Sequence, residues 1–352
     1  MPKRQPITGP FAWRGADLAA SGAWTRELAP EAVAEIDAAL RAAQSRGLAW
    51  RDVTREDFPL PAFSGALAAI SDELENGLGF VRLRGFPVER YSEDELRLIF
   101  WGIGTHLGTA LCQSTAGELI GEVCDEVRAY GAVREAARTA DDPDLPKSSR
   151  VRSRSNGPLR FHTDRCDVIG LLCMRAARSG GVSRIVSAVT VHNEILARRP
   201  DLLELLYGDY PRSRHGEEKG GASAVYMLPV FAVHEGRFTT HYSRTFVEVA
   251  QHLPGVPRLT PAQDEALDLL AEVAEEQCLE TPFAPGDMQF LNNHVIYHAR
   301  TAFEDDAAGH DRLLYRLWLA MPNSRALPAN HAVLWGNTQA GAVRGGIAQA
   351  TQ

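Results

Sequence analysis

The residues best suited to chemistry begin at Phe161-His162-Thr163-Asp164, where an imidazole and a carboxylate stand two positions apart. In extended backbone that spacing turns both side chains to one face, so they can share a metal ion. A chain with 11 histidines contains such pairs by chance, and a further donor is needed before a metal site is implied. His298 supplies one, far along the chain in the segment TPFAPGDMQFLNNHVIYHAR (residues 281–300). Two imidazoles and one carboxylate fill one face of an octahedral ion and leave three adjacent positions open, the arrangement associated with non-haem Fe(II) oxygenases. Open positions are what oxygen activation requires.

A third group lies in DRLLYRLWLAMP (residues 311–322). Alternation places Arg312, Leu314, Arg316 and Trp318 on one face of a strand. Charged groups are seldom buried without partners. A dianionic ligand would satisfy two guanidinium groups, each of which grips a carboxylate through paired hydrogen bonds. The same residues would equally suit a solvated face, or pairing with Asp305 or Asp306.

These groups need a scaffold, and much of it can be read. Gly79–Gly85 (GFVRLRG) alternates as a strand does. A helix is expected over Glu31–Arg46, with Pro30 ahead of it. Ser92 with Glu95 forms a capping box that opens a helix running to His106. From Leu159 short strands dominate: Ile169–Met174, Ser183–Val189, Val225–Val233, Arg237–His241, Met288–Asn293 and Arg312–Met321. Two helices interrupt them, one over Val191–Tyr207 and one opening at Thr260-Pro261 and continuing through Glu276. Ala284-Pro285-Gly286-Asp287 has the Pro and Gly positions of a type II turn, and delivers the chain into the strand whose far end carries His298. Two polar stretches, 134–156 and 213–224, are expected to be loops. Many short strands with separated helices predict a sandwich or jelly roll in a single domain, since neither repeat nor linker is visible.

With 352 residues, 45% of them hydrophobic, the chain can bury a large core. A net charge of -8 argues against a nucleic-acid or anionic-membrane partner and leaves a small molecule as the default. The first residues have no apolar run suited to export, and no stretch is long enough to span a bilayer. Five cysteines without CxxC spacing fit reduced thiols, and a cytoplasmic location is expected.

The sequence also resembles the taurine dioxygenase-like (TauD/TfdA) branch of the Fe(II)/2-oxoglutarate oxygenases. The motifs that carry the likeness are GFVRLRGF at 79–86, FHTD at 161–164, GGVS at 180–183, PGDMQFLNNHVIYHARTAF at 285–303 and RLLYRLW at 312–318. The resemblance implies a mainly β fold, a double-stranded β-helix (cupin-like jelly roll) with helical insertions. It divides a single catalytic domain, 1–352, into an N-terminal helical elaboration (1–78), a jelly-roll core (79–328) and a C-terminal tail (329–352). It implies Fe(II), 2-oxoglutarate and O2, with His162, Asp164 and His298 as iron ligands. Arg312 would bind the far carboxylate of 2-oxoglutarate, assisted by Ser183 where relatives usually carry Thr. Arg316 would lie near the cosubstrate or an anionic substrate. Asn292-Asn293-His294 stands where Asp-Asn-Arg is common; Asn293 suits a structural hydrogen bond, and His294 either supports the site or stands at the surface. With Asp164 present no coordination position is vacated for halide, which favours hydroxylation or a related C–H oxidation of a small, anionic or amino-acid-like substrate. Gln113, Arg152, Arg154, Asn156 and Tyr226 are candidates for the outer pocket, and Arg300 adds to the preference for an anion. A homo-oligomer is compatible with all of this. The rival readings are a metal-dependent hydrolase on the same ligands and a non-catalytic jelly-roll binding or sensing protein.

Overall fold

The fold is taken from a computed structural model that describes residues 4–130, 152–214, 223–306 and 311–347. Two sheets face each other. The larger one runs in the order Thr25–Glu27, Phe80–Arg84, Met288–Asn292, Val168–Arg175, Leu313–Ala320 and Thr109–Ala110, with Ile120–Val123 also pairing on Leu313–Ala320. The smaller one runs Leu279–Thr281, Ser183–Ser187, Ile296–Arg300, Leu159–His162. Within these sheets only the Thr25–Glu27 edge is parallel to its neighbour. This is the jelly-roll arrangement, with helices on the outside.

Every residue of Leu313–Ala320 is buried, because both faces of the strand are covered. Leu313, Tyr315, Leu317 and Leu319 pack on Ile36, Leu40, Ile70, Ile99 and Ile103 from the helices Pro30–Ser45, Ser64–Asn76 and Glu93–Leu107. Leu314, Arg316 and Trp318 alternate to the other side. There one apolar cluster joins Ile169, Leu291 and Trp318 to Ile185 of the smaller sheet, and extends to Leu203 and Leu270 on the helices outside that sheet. The interior between the sheets is thus where Arg316 and Trp318 point.

Local signals behave as their chemistry requires. Ser92 and Glu95 close the expected capping box on Glu93–Leu107, and Thr260 with Gln263 closes another on Pro261–Gln277. Gly286 sits at φ 89° and Asp287 N donates to Ala284 O at 3.0 Å, as a type II turn demands. Other elements differ from expectation. The single helix expected over Val191–Tyr207 is two, Ala188–Arg198 and Pro200–Leu206, because Pro200 has no N–H to continue the ladder. The strand Val225–Val233 breaks into Val225–Pro229 and Phe231–His234. Ser64–Asn76 is a helix that the sequence reading left unassigned.

The most consequential correction concerns His298. It does not end the strand Met288–Asn292; the chain turns at 293–295, with Val295 N donating to Asn292 O at 3.2 Å, and begins a new strand in the opposite sheet. Of the two expected loops, 131–151 and 215–222 lie outside the described residues. Flanking the second, Asp209–Ser213 and Val225–Pro229 pair as an antiparallel ladder. Among the described residues no helix is long and apolar enough to cross a membrane.

Candidate metal and cosubstrate site

His162 is the last residue of Leu159–His162 and pairs directly across the ladder with His298 of Ile296–Arg300. Their ring centroids are 4.1 Å apart. Asp164 follows just beyond the strand, its Oδ1 3.8 Å from His162 Nε2 and its Oδ2 3.6 Å from His298 Nε2. One donor atom from each of the three residues lies within 4.8 Å of the others.

The surroundings orient these groups. His162 Nδ1 lies 2.9 Å from Arg160 O, and a proton donated there leaves the Nε2 lone pair facing the other two residues. Asp164 N donates to Asn293 Oδ1 at 2.9 Å, and Asn293 Nδ2 donates in turn to Cys166 O at 3.1 Å. Trp318 Nε1 donates to Asp164 Oδ2 at 3.1 Å, so the indole of one sheet fixes the carboxylate of the other. Burial, with the neighbouring His298, pushes the His162 imidazole down to about 4. For Asp164 burial acts upward, but His298, Arg316 and His162 outweigh it and hold the carboxyl below its usual range. Two imidazoles and a carboxylate are a donor set matched to a divalent transition-metal ion.

Arg312 immediately precedes Leu313–Ala320 and is 4% exposed. Among the described residues its guanidinium makes one long hydrogen bond, Nη1 to Val123 O at 3.4 Å, and lies 5.1 Å from the Phe303 ring centroid. Asp305 accepts from the Arg312 backbone N at 2.8 Å, and no carboxylate among the described residues pairs with the guanidinium itself. Burial lowers its pKa to about 10. A buried cation with most donors unused is costly unless an anion meets it. Gly181, at φ 65°, lies against it: a Cβ there would come within 3.0 Å of Arg312 Nε. Ser183, two residues on, is buried at the start of Ser183–Ser187. The Gly-Gly-Val-Ser segment and Arg312 are therefore neighbours.

Arg316 is 7% exposed and donates Nε to Gln113 Oε1 at 2.6 Å. Gln113 is itself fixed by donation to Leu119 O and Arg316 O. A cavity opens here, walled by His162, Asp164, Arg316 and Trp318 together with Arg165, Arg214, Tyr226, His241, Leu334 and Ile347. Arg312 and Ser183 are not among its lining residues. Arg312 lies four residues back along the strand, roughly 13 Å from Arg316.

Gln113 and Tyr226 line the cavity; Arg152, Arg154 and Asn156 do not. Arg154 instead meets buried Glu126 at 2.8 Å. Arg300 donates to the carbonyls of Ser155 and Gly157 at 2.6 Å each, which anchors that segment, and it is not among the cavity's lining residues. His294 is fully buried, bonded to Asp167 Oδ1 at 2.8 Å and to Thr239 Oγ1 at 2.9 Å. Sequence reasoning missed the carboxylate-orienting role of Trp318. It also missed Arg165, Arg214 and His241, and no local pattern marks the apolar wall residues.

Comparison with known proteins agrees with this architecture. The chain is 30% identical over 338 residues to FR-33289 synthase of Streptomyces rubellomurinus, covering 93% of this chain and 94% of that protein. It is 31% identical over 300 residues to the taurine hydroxylase-like protein SAT17 of Stachybotrys chartarum, covering 83% and 74%. A solved structure of an asparagine oxygenase with Fe(II), 2S,3S-3-hydroxyasparagine and succinate has the same fold, with a TM-score of 0.62 at 16% identity over 91% of this chain and 99% of that one. Residues 44–318 match the family described as taurine catabolism dioxygenase TauD, TfdA family. The chain belongs to that family, and so to the Fe(II)- and 2-oxoglutarate-dependent oxygenases, enzymes that consume O2.

Proposed function

We propose that His162, Asp164 and His298 hold Fe(II), that Arg312 with Ser183 holds the far carboxylate of 2-oxoglutarate, and that the enzyme oxidises a C–H bond of a small anionic or amino-acid-like substrate bound beside Arg316. The observation that carries the reading is the convergence of the three donor atoms within 4.8 Å, two of their residues, His162 and Asp164, standing on the wall of a cavity. The buried, underused guanidinium of Arg312 supports the cosubstrate assignment. Similarity to a taurine hydroxylase-like protein, and in fold to an asparagine oxygenase bound to its hydroxylated amino acid, supports the substrate class.

Bound iron supplies the oxidising chemistry, with electrons drawn from oxidative decarboxylation of 2-oxoglutarate to succinate and CO2. The chain's own residues position and shield. His162 and His298 present Nε2 from adjacent strands, and Trp318 and Asn293 keep Asp164 turned toward them. Arg312 would fix the cosubstrate's far end as a bidentate partner. Arg316, braced by Gln113, would hold the substrate's anionic group, while apolar walls exclude water from the reacting carbon.

The test is anaerobic addition of Fe(II) and 2-oxoglutarate. The wild-type protein is expected to develop the visible charge-transfer band of the chelated cosubstrate, and Asp164→Ala to lose it. An identical band in the variant overturns the ligand assignment.

A further inference from the structure

The stretch matched by the family ends at Trp318, yet two cavity walls, Leu334 and Ile347, come from beyond it. The segment that carries them is held at several points. Arg344 is 3% exposed and donates Nε to Asp167 Oδ1 at 2.9 Å and Nη2 to Arg325 O at 2.7 Å. Asp167 also receives His294 and the backbone N of Met321, so the clamp is seated in a buried network directly before the strand Val168–Arg175. Trp335 packs on the His294 ring at 4.9 Å between centroids, and Gly345 N donates back to Trp335 O.

The last anchors reach the site itself. Gly346 N donates to the carbonyl of Arg165 at 2.7 Å, one residue past Asp164, and Ile347 N donates to Cys112 O at 2.8 Å, one residue before Gln113. Ile347 is 4% exposed. Its side chain is therefore a fixed boundary of the chamber that Arg316 also lines.

Resting on the reading of this chamber as the substrate site, we infer that the C-terminal segment sets substrate length. The ligand class is a small oxyanion, carboxylate or sulfonate, whose head group meets Arg316 and whose short aliphatic body ends against Ile347 and Leu334. Ile347 is a specificity-determining residue, and Arg344 is the positioning residue that holds the segment in place.

The test uses full-length enzyme loaded anaerobically with Fe(II) and 2-oxoglutarate, titrated with straight-chain alkanesulfonates and alkanoates of two to six carbons. Binding is read from tryptophan fluorescence, since Trp318 lines the cavity. Wild type should prefer one length, with affinity changing about fourfold per methylene. Ile347→Ala should move the optimum to a longer chain and Ile347→Trp to a shorter one. An unchanged optimum in both variants, or no saturable response of the wild type to any member, overturns the inference. The iron–cosubstrate absorption band is recorded on the same samples. Its absence from the wild type would overturn the iron-site reading instead, while its presence beside an unshifted optimum faults the C-terminal wall alone.

Discussion

Arg312 shows how an individual residue can be ambiguous in sequence and informative in place. Alternation along 312–318 made it equally a surface cation or a ligand group; burial to 4% with one marginal acceptor among the described residues leaves a guanidinium that an anion would satisfy. Arg312→Ala should raise the 2-oxoglutarate requirement roughly 10- to 100-fold, the cost of leaving a carboxylate without its charged partner. Steady-state KM for 2-oxoglutarate measures this, and a KM equal to wild type would reassign the carboxylate site. The His162/Asp164 pair was visible because its chemistry is local in sequence. Trp318 was seen only as a neighbour of arginines, because its bond to Asp164 spans two sheets and no spacing rule reports such a contact. His294 likewise departs from the family pattern, yet is buried against Asp167 and Thr239 rather than standing at the surface.

At the scale of elements, signals written in a few adjacent residues were legible and those set by tertiary pairing were not. The capping boxes at Ser92 and Thr260 and the turn at 284–287 are short-range devices and appear where the residues dictate. The placement of His298 failed because the turn at 293–295 carries no Gly or Pro; Asn292 and Asn293 are instead occupied by buried bonds to Glu75 and Cys166. Ser64–Asn76 was overlooked although Leu67, Ile70 and Leu74 keep helical spacing, since its Ser-Gly start reads as a loop. Gly286 offers an element-level test. Its φ of 89° disfavours any side chain, and a Cβ would collide with the Phe86 carbonyl. Gly286→Ala should therefore cost about 1–3 kcal/mol and lower Tm by roughly 1–4 °C, measured by thermal unfolding; a Tm equal to or above that of wild type would contradict the geometry.

For the molecule as a whole, buried histidines other than the metal donors make stability depend on pH. Burial lowers the pKa of His192 and, well below the ordinary value, that of His241; it brings His331 to about 4. A group whose folded pKa is depressed in this way is neutral in the fold and takes up protons when the chain opens. Its stabilising contribution is full above about pH 6.5, the unfolded value, and falls away as pH drops toward 4. Tm should decline as pH is lowered from 7 to 5, where ordinary carboxylates remain ionised; a flat profile over that range would contradict it. The two-sheet architecture was legible in outline from the succession of short strands, whereas the wall provided by 334 and 347 depends on how the chain returns after the last strand. The direct pairing of His162 with His298 has a genetic consequence. A ladder advances in whole residues, and each step reverses which side a residue faces. One codon gained or lost within either strand would turn an imidazole away, so length variation among descendants of this gene should accumulate outside 159–162 and 296–300.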